Sequence, residues 1–287
     1  MHTPAATEPI DYLVIGHITQ DVTPDGLILG GTVSYASLTA RAYGLRVGIV
    51  TACAPDLHPL ELEGIPIHRK SSAVTSTFEN TYTPQGRIQH VLKVAESLTI
   101  DDIPSAWRNT PIVHLAPLTN EIGEDLALGF SASLVGVTPQ GWMRTWDEQG
   151  LVSFREWQQA DNVLPHVQAG VMSIEDVRGN EEIVSQFASL LPILVVTEGA
   201  AGARVYWNSD VRYFRPPIEA ELDPVGAGDV FSASFFIKLH QTNNPWEAAR
   251  FATLVAANSV TRKGIQGVPT AQEIIAFSTE IIEQPIK

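Results

Sequence analysis

What most limits the folding options of this chain is a set of short apolar runs, each almost unbroken and rich in β-branched residues. DYLVIGH (11–17), RVGIVT (46–51), PIVHLA (111–116), LVGVT (134–138), GVMS (170–173) and ILVVT (193–197) are all of strand length. None shows the apolar–polar alternation of a strand with one wet face, so each needs cover on both faces. Helical spacing lies between most of them and predicts helices over 32–43, 121–129, 175–190, 227–240 and 245–262. Strand and helix in alternation predict an α/β fold, a doubly wound, mostly parallel sheet with helices on both faces. At 287 residues, the pattern fits one domain over residues 1–287.

One stretch breaks the rhythm. Residues 65–99 carry no helical pattern, and within them STFENTY (76–82) and RIQHVLKV (87–94) alternate with period two. They flank Thr83-Pro84-Gln85-Gly86, which suits a type I turn with proline second and glycine fourth. A hairpin with a polar face inserted in an α/β domain is either a lid over a site or an ordinary edge hairpin, and the pattern leaves both open.

The formal net charge of −14 argues against nucleic acid as a partner, because phosphate backbones need a basic face. The single cysteine, Cys53, allows neither a disulfide within the chain nor a cysteine-based zinc site, which fits a cytoplasmic setting. The opening MHTPAATEPI lacks the basic and apolar regions of a signal peptide, and no apolar run is long enough to span a membrane.

The chemistry concentrates at DPVGAGDVF (223–231). Gly226, Ala227 and Gly228 leave the backbone nearly bare, so a ligand can approach it closely. If a helix begins near Ala227, the N–H groups of residues 226–229 point out of its end and form an anion site. Asp229 then stands at the edge of that site, where a carboxylate can hold a hydroxyl that attacks a bound phosphate. The helix end is expected to lower the Asp229 pKa, a handicap that phosphoryl transfer tolerates. The same residues also suit a plain glycine-rich turn with Asp229 as a capping residue.

Residues 223–229 resemble the Asp-Thr-x-Gly-Ala-Gly-Asp signature of the ribokinase, or PfkB, family of sugar kinases, departing at Pro224. RFATLVAANSVTRKGIQGVP (250–269) is similar to that family's helix and loop beside adenine, and LVVTEGAAGARVYW (194–207) to its strand-turn-strand along the nucleotide. GHITQDV (16–22) and Gly30-Gly31 look like its N-terminal substrate motifs. The resemblance implies a ribokinase-like fold with a small β lid formed mainly by about 65–99, and ATP-dependent phosphorylation of a hydroxyl with Mg²⁺ and K⁺ as ions. It makes Asp229 the base and Gly226, Ala227 and Gly228 the anion hole. Asp21 would bond a substrate hydroxyl, with Gly30 and Gly31 as bare backbone beneath the substrate. Thr197, Gly199 and Gly202 would line the nucleotide, with Asn258 and Gly264 near the adenine. Apart from the resemblance, Asp21 also suits a turn before Thr23-Pro24, Gly199 and Gly202 suit a turn between strands, and Asn258 suits an ordinary helix position.

The departures matter. Where the family carries Asn-x-x-Glu, this chain has Ser173-Ile174-Glu175-Asp176. Asp176 would reach Mg²⁺ through water, or Ser173 and Asp176 would simply cap a helix. Pro224 bears on a monovalent-cation site at Asp223 and Val225. Only eight residues separate Asp21 from Gly30, too few for the long first lid segment of ribokinase itself. The compact N-terminal half, TFENTYTPQGRIQHV (77–91) and HLAPLTNEI (114–122) look most like the myo-inositol-kinase-like branch. In that branch Glu79, Arg87 and Gln89 would reach a polyol from the hairpin, and Gln140 and Arg144 would stand at the mouth of the site. A solvated hairpin face is the alternative for Arg87 and Gln89. A nucleoside kinase, with Trp142, Trp146 or Tyr35 stacking on a base, and a non-catalytic sugar or nucleotide sensor remain rival functions. A dehydrogenase does not, because Gly16 is followed by His-Ile-Thr rather than a G-x-G-x-x-G fingerprint. The reduced lid leaves monomer and homodimer open.

Overall fold

The computed structural model describes residues 8–83 and 86–283. Its fifteen strands, in chain order, are β1 (Tyr12–Ile15), β2 (Thr19–Thr23), β3 (Gly26–Gly30), β4 (Val47–Cys53), β5 (Ile67–Ser71), β6 (Thr77–Thr83), β7 (Gly86–Lys93), β8 (Ile112–Leu115), β9 (Leu134–Val137), β10 (Arg144–Trp146), β11 (Val152–Phe154), β12 (Ala169–Ser173), β13 (Ile193–Thr197), β14 (Ala203–Trp207) and β15 (Asp210–Phe214). The α-helices are α1 (Thr32–Ala42), α2 (Asp125–Leu128), α3 (Ala160–Val163), α4 (Glu181–Leu190), α5 (Ala227–Thr242), α6 (Pro245–Ser259) and α7 (Ala271–Glu283).

All six apolar runs are strands of one nine-stranded sheet, ordered β15-β14-β13-β12-β9-β8-β1-β4-β5. From β13 to β5 every pairing is parallel, while β14 and β15 add an antiparallel edge. Two-sided burial explains their unbroken apolarity. Tyr12 and Val14 pack with α1, α5 and α6 on one face, while Leu13 and Ile15 pack on the other with Trp107, Trp142, Trp157, Val184 and Phe187. The chain winds from β1 to β4 and β5 in one direction and from β8 to β13 in the other. The reversal beside β1 opens a crevice at the carboxyl ends of the strands, where such sheets bind ligands.

The second sheet has the order β3-β2-β6-β7. β6 and β7 are the hairpin expected from period-two alternation; Pro84 and Gln85 of its expected turn lie outside the described residues. Its other half, the β2–β3 hairpin, is made by the very residues judged too few for a lid segment. β5, within the stretch assigned to the lid, joins the edge of the large sheet instead.

Two expected helices are shorter than their periodicity suggests. Only Asp125–Leu128 is helical within 121–129, because the buried Glu121 carboxylate accepts N–H bonds from His17, Leu118 and Thr119 and folds the segment around itself. The helix expected from 175 begins at Glu181. Arg178 (φ 53°) and Gly179 (φ 74°) turn the chain out of helical conformation first, and Asn180 caps the new start.

Candidate active site

A cleft of about 1210 Å³ lies between the carboxyl ends of the parallel strands and the small sheet. Asp21 on β2, Gly31 and Thr32 entering α1, Gln140 and Arg144 after β9, Asp176 after β12, Thr197 closing β13 and the loop before α5 all line it.

The loop is built as its sequence suggests, with one change. Gly226 caps α5 in the left-handed region (φ 80°), and a Cβ there would strike the Tyr35 ring, so only glycine fits. Ala227 does not offer its N–H to the cleft: it donates to the Pro224 carbonyl at 3.2 Å, closing the turn. The N–H groups of Gly228 and Asp229 donate to no group among the described residues, and a Cβ on Gly228 would meet nothing within 4 Å. The anion-binding donors are therefore those of Gly228 and Asp229, with the helix dipole behind them.

Asp229 corrects a second expectation. Burial at the cleft floor pushes its pKa up to about 6, while a hydrogen bond from Thr32 and the charge of Arg144 pull the other way. Asp21, across the cleft, is likewise raised to about 6 by burial, against the opposing charge of Arg87. At neutral pH both are ionised yet more basic than ordinary carboxylates, a state suited to holding or accepting a hydroxyl proton.

The lid completes the Asp21 end. Gln89 Nε2 donates to Asn80 Oδ1 at 2.9 Å, and Asn80 Nδ2 to Asp21 Oδ1 at 3.4 Å. Gln89 Oε1 is buried with no partner among the described residues, leaving an acceptor for a ligand hydroxyl. Arg87 lines the cleft beside it, but Glu79 does not: strand side chains alternate, and Phe78 and Asn80 face inward while Glu79 is exposed. Gly30 is also absent from the lining. Its missing side chain makes room for the Asp21 carboxylate instead, and Gly31 alone presents backbone to the cleft.

At the other end, Thr197, Gly199, Gly202 and Gly264 line the cleft as expected, joined by Pro216, Pro217, Ile218, Ala256, Ala257 and Val260. Together these form a mostly apolar shelf. Asn258 is not on it; its Oδ1 accepts from Arg262 at 2.9 Å, one turn further along. Asp223 clasps two loops together, accepting from Val225 N at 3.0 Å and Gly264 N at 2.8 Å.

Between the two ends, Ser173 and Asp176 form a capping box. Ser173 Oγ accepts from Glu175 N, and Asp176 Oδ2 accepts from Ser173 N at 2.9 Å. Asp176 Oδ1 takes a 2.6 Å bond from Gln140 Nε2, tying together two residues chosen from separate motifs. Among the described residues no three His, Cys, Asp or Glu side chains cluster as a metal cage. Asp176 offers hard oxygens on the cleft wall, which fits a Mg²⁺ that keeps most of its waters.

Asn80, Thr32 and the 216–221 loop were missed in the sequence. Asn80 could have been found by fixing the hairpin register on Phe78; the other two carry no local signal. Trp142, a candidate for stacking on a base, is buried against Trp157 with ring centroids 4.5 Å apart, and its Nε1 donates to the Ile122 carbonyl. Trp146 packs partly buried on the Phe78, Val91 and Leu118 cluster.

Comparison with known proteins agrees with this fold. The pfkB family carbohydrate kinase model matches residues 169–271. Fructokinase-2 of Zea mays is 28% identical over 141 residues, 45% of this chain and 41% of that protein. Inositol 3-kinase of Zea mays is 33% identical over 92 residues, 32% of this chain and 24% of that protein. The matched part is thus less than half the length of either relative. Among solved structures, a pyrophosphate-dependent kinase in the ribokinase family, complexed with a pyrophosphate analog and myo-inositol, superposes with TM-score 0.76 at 21% identity, covering 92% of this chain and 99% of that one. Arabidopsis thaliana ribokinase, complexed with ribose and ATP, gives 0.72 at 16% identity, covering 94% and 99%. Residues 169–271 thus resemble the pfkB family of carbohydrate kinases, and the chain has the fold of the solved ribokinase-family structures.

Proposed function

We propose that the protein is a kinase that transfers the terminal phosphoryl group of ATP to a hydroxyl of a polyol or sugar, with an inositol skeleton as the leading acceptor. The observation that carries this is the placing of Asp229, raised to about 6, directly behind the open N–H groups of Gly228 and Asp229 and in one cleft with Asp21. The acceptor hydroxyl lies against Asp229, oriented by Asp21, Asn80 and Gln89. The donor's terminal phosphate rests on the two N–H groups, which stabilise charge on the transferring group. The apolar shelf at 216–218, 256–257 and 260 suits an adenine, a feature that pyrophosphate alone would not need. Asp176 would hold Mg²⁺ through water, and the ion when bound neutralises phosphate charge. Asp223 serves here as the clasp between the loops at Val225 and Gly264, and the proposal gives it no monovalent-cation role.

The test is product formation over a panel of inositols, hexoses, pentoses and nucleosides, with ATP and pyrophosphate as alternative donors. The expected result is phosphorylation of a polyol or sugar with ATP, lost by about 10³-fold or more in Asp229→Asn with ATP binding retained. Near-normal turnover in that variant sinks the mechanism, and no turnover of any acceptor leaves the cleft a sensor.

A further inference from the structure

Arg144 opens β10 at the wall of the cleft, 9% exposed. Its guanidinium donates to no group and pairs with no carboxylate among the described residues, while its backbone carbonyl accepts from Asn120. A buried cation with no partner is costly, and proteins seldom keep one unless a ligand supplies the missing charge. Arg87 approaches from lid strand β7 and is also without an ion pair among the described residues. The two guanidiniums are close enough to repel each other and both feel Asp229, while Asp176 and, more weakly, Glu121 attract Arg144 from beyond ion-pair distance. Two like charges brought together from separate elements, with Arg87 close enough to Asp21 for its charge to act on that carboxylate, make a clamp for an anion.

That anion belongs to the acceptor rather than the donor. The donor's terminal phosphate already has the N–H groups of Gly228 and Asp229, and its metal has Asp176. Arg87 stands on the lid face that carries Asn80 and Gln89, beside Asp21, where the acceptor sits. Resting on the kinase reading above, we infer that the acceptor is an anionic polyol or sugar, one bearing a carboxylate or phosphate group held between Arg87 and Arg144.

Matched pairs test this. Binding to the wild-type protein, in the presence of a non-hydrolysable ATP analogue, is measured by calorimetry for myo-inositol against a myo-inositol monophosphate, and for glucose against glucuronate and glucose 6-phosphate. The expected result is at least one anionic member bound about 100-fold more tightly than its neutral partner. The glucuronate and phosphate arms show which anion is meant. In Arg144→Gln the ratio falls below about tenfold, and in the exposed lid variant Arg87→Gln, which guards against misfolding of the first, it falls in the same direction. Neutral members binding as well as anionic ones overturns the inference. So does an Arg144→Gln variant that weakens both members equally, or one that lowers kcat on a neutral acceptor without changing its binding, because the guanidinium then serves the transferring phosphate. Anion-selective binding without product formation instead overturns the kinase reading and leaves the anion clamp standing.

Discussion

At the scale of single residues, the cleft is governed by two carboxylates whose burial raises their pKa values from 3.8 to about 6. Both must be ionised for the proposed chemistry, one to hold the acceptor and one to take its proton. kcat/KM should therefore rise with pH up to about 6 and then level, with an acid limb steeper than a single ionisation; a single-proton limb would mean that one of the pair is dispensable. The same shifts set a stability trend. A carboxylate whose folded-state pKa lies above its unfolded value binds its proton more tightly when folded. Its stabilising contribution is complete below about pH 4 and is lost as pH rises through about 6. At pH 8 the ionised Asp229 therefore opposes folding, and Asp229→Asn should gain about 1–2 kcal/mol after allowance for its partial exposure. That corresponds to a Tm higher by about 3–6 °C at pH 8, with the gain vanishing near pH 4. A melting series of the two proteins across pH checks it; a Tm that falls at pH 8 would mean that Asp229 holds the loop together rather than being held against its preference.

At the scale of elements, the start of α5 separates two jobs done by neighbouring glycines. Gly226 is fixed by its positive φ and by the Tyr35 ring, so Gly226→Ala should cost about 2–4 kcal/mol. Gly228 is ordinary helical backbone facing open space, where alanine is a better helix former. Gly228→Ala should leave Tm unchanged or slightly higher while lowering kcat/KM for ATP by tenfold or more (about 1.4 kcal/mol), since the methyl group enters the phosphate space. Equal effects of both on melting would show that the loop is structural throughout. This contrast was half legible in the sequence. The glycine loop and Asp229 are contiguous, so their chemistry could be read locally, as could parallel strands that two-sided burial forces to be wholly apolar. The β2–β3 hairpin escaped notice because Gly26–Gly30 is apolar but mostly exposed, and the strand that β2 joins in the sheet is distant in sequence, with Gln20 paired to Thr77. Glu79, implied by the resemblance, lies on the outer face of the hairpin, because strand register decides that Phe78 and Asn80 face the cleft. Asn258 failed for a different reason: Arg262, which takes its side chain, is visible at helical spacing, but nothing local says whether that pair or the cleft wins.

For the whole molecule, the proposed acceptor site requires the small sheet to sit at a fixed height over the large one, and a buried polar knot joins them. His17, just after β1, contacts Ser76 Oγ through Nδ1 at 2.7 Å and the Glu96 carbonyl through Nε2 at 2.9 Å; Thr119 Oγ1 lies 3.2 Å from the same Nδ1. Glu121 closes the knot, accepting from the N–H groups of His17, Leu118 and Thr119 at 3.1, 3.0 and 2.7 Å. Ser76 immediately precedes lid strand β6, while Leu118 lines the cleft and packs on Phe78 and Val91 of the lid. A carboxylate suits this position because every group facing it is a donor. Glu121→Gln keeps the shape but turns an amide N–H₂ toward backbone N–H groups, leaving at least one buried donor unpaired. The cost should be about 2–4 kcal/mol, seen as a Tm lower by about 5–12 °C. Because the knot fixes the lid and not the nucleotide shelf, KM for the acceptor should rise several-fold more than KM for ATP. Glu121→Gln with full stability would mean that the carboxylate is not needed to hold the turn. A fall in stability with equal changes in the two KM values would mean that the knot supports the sheet but does not set the height of the lid.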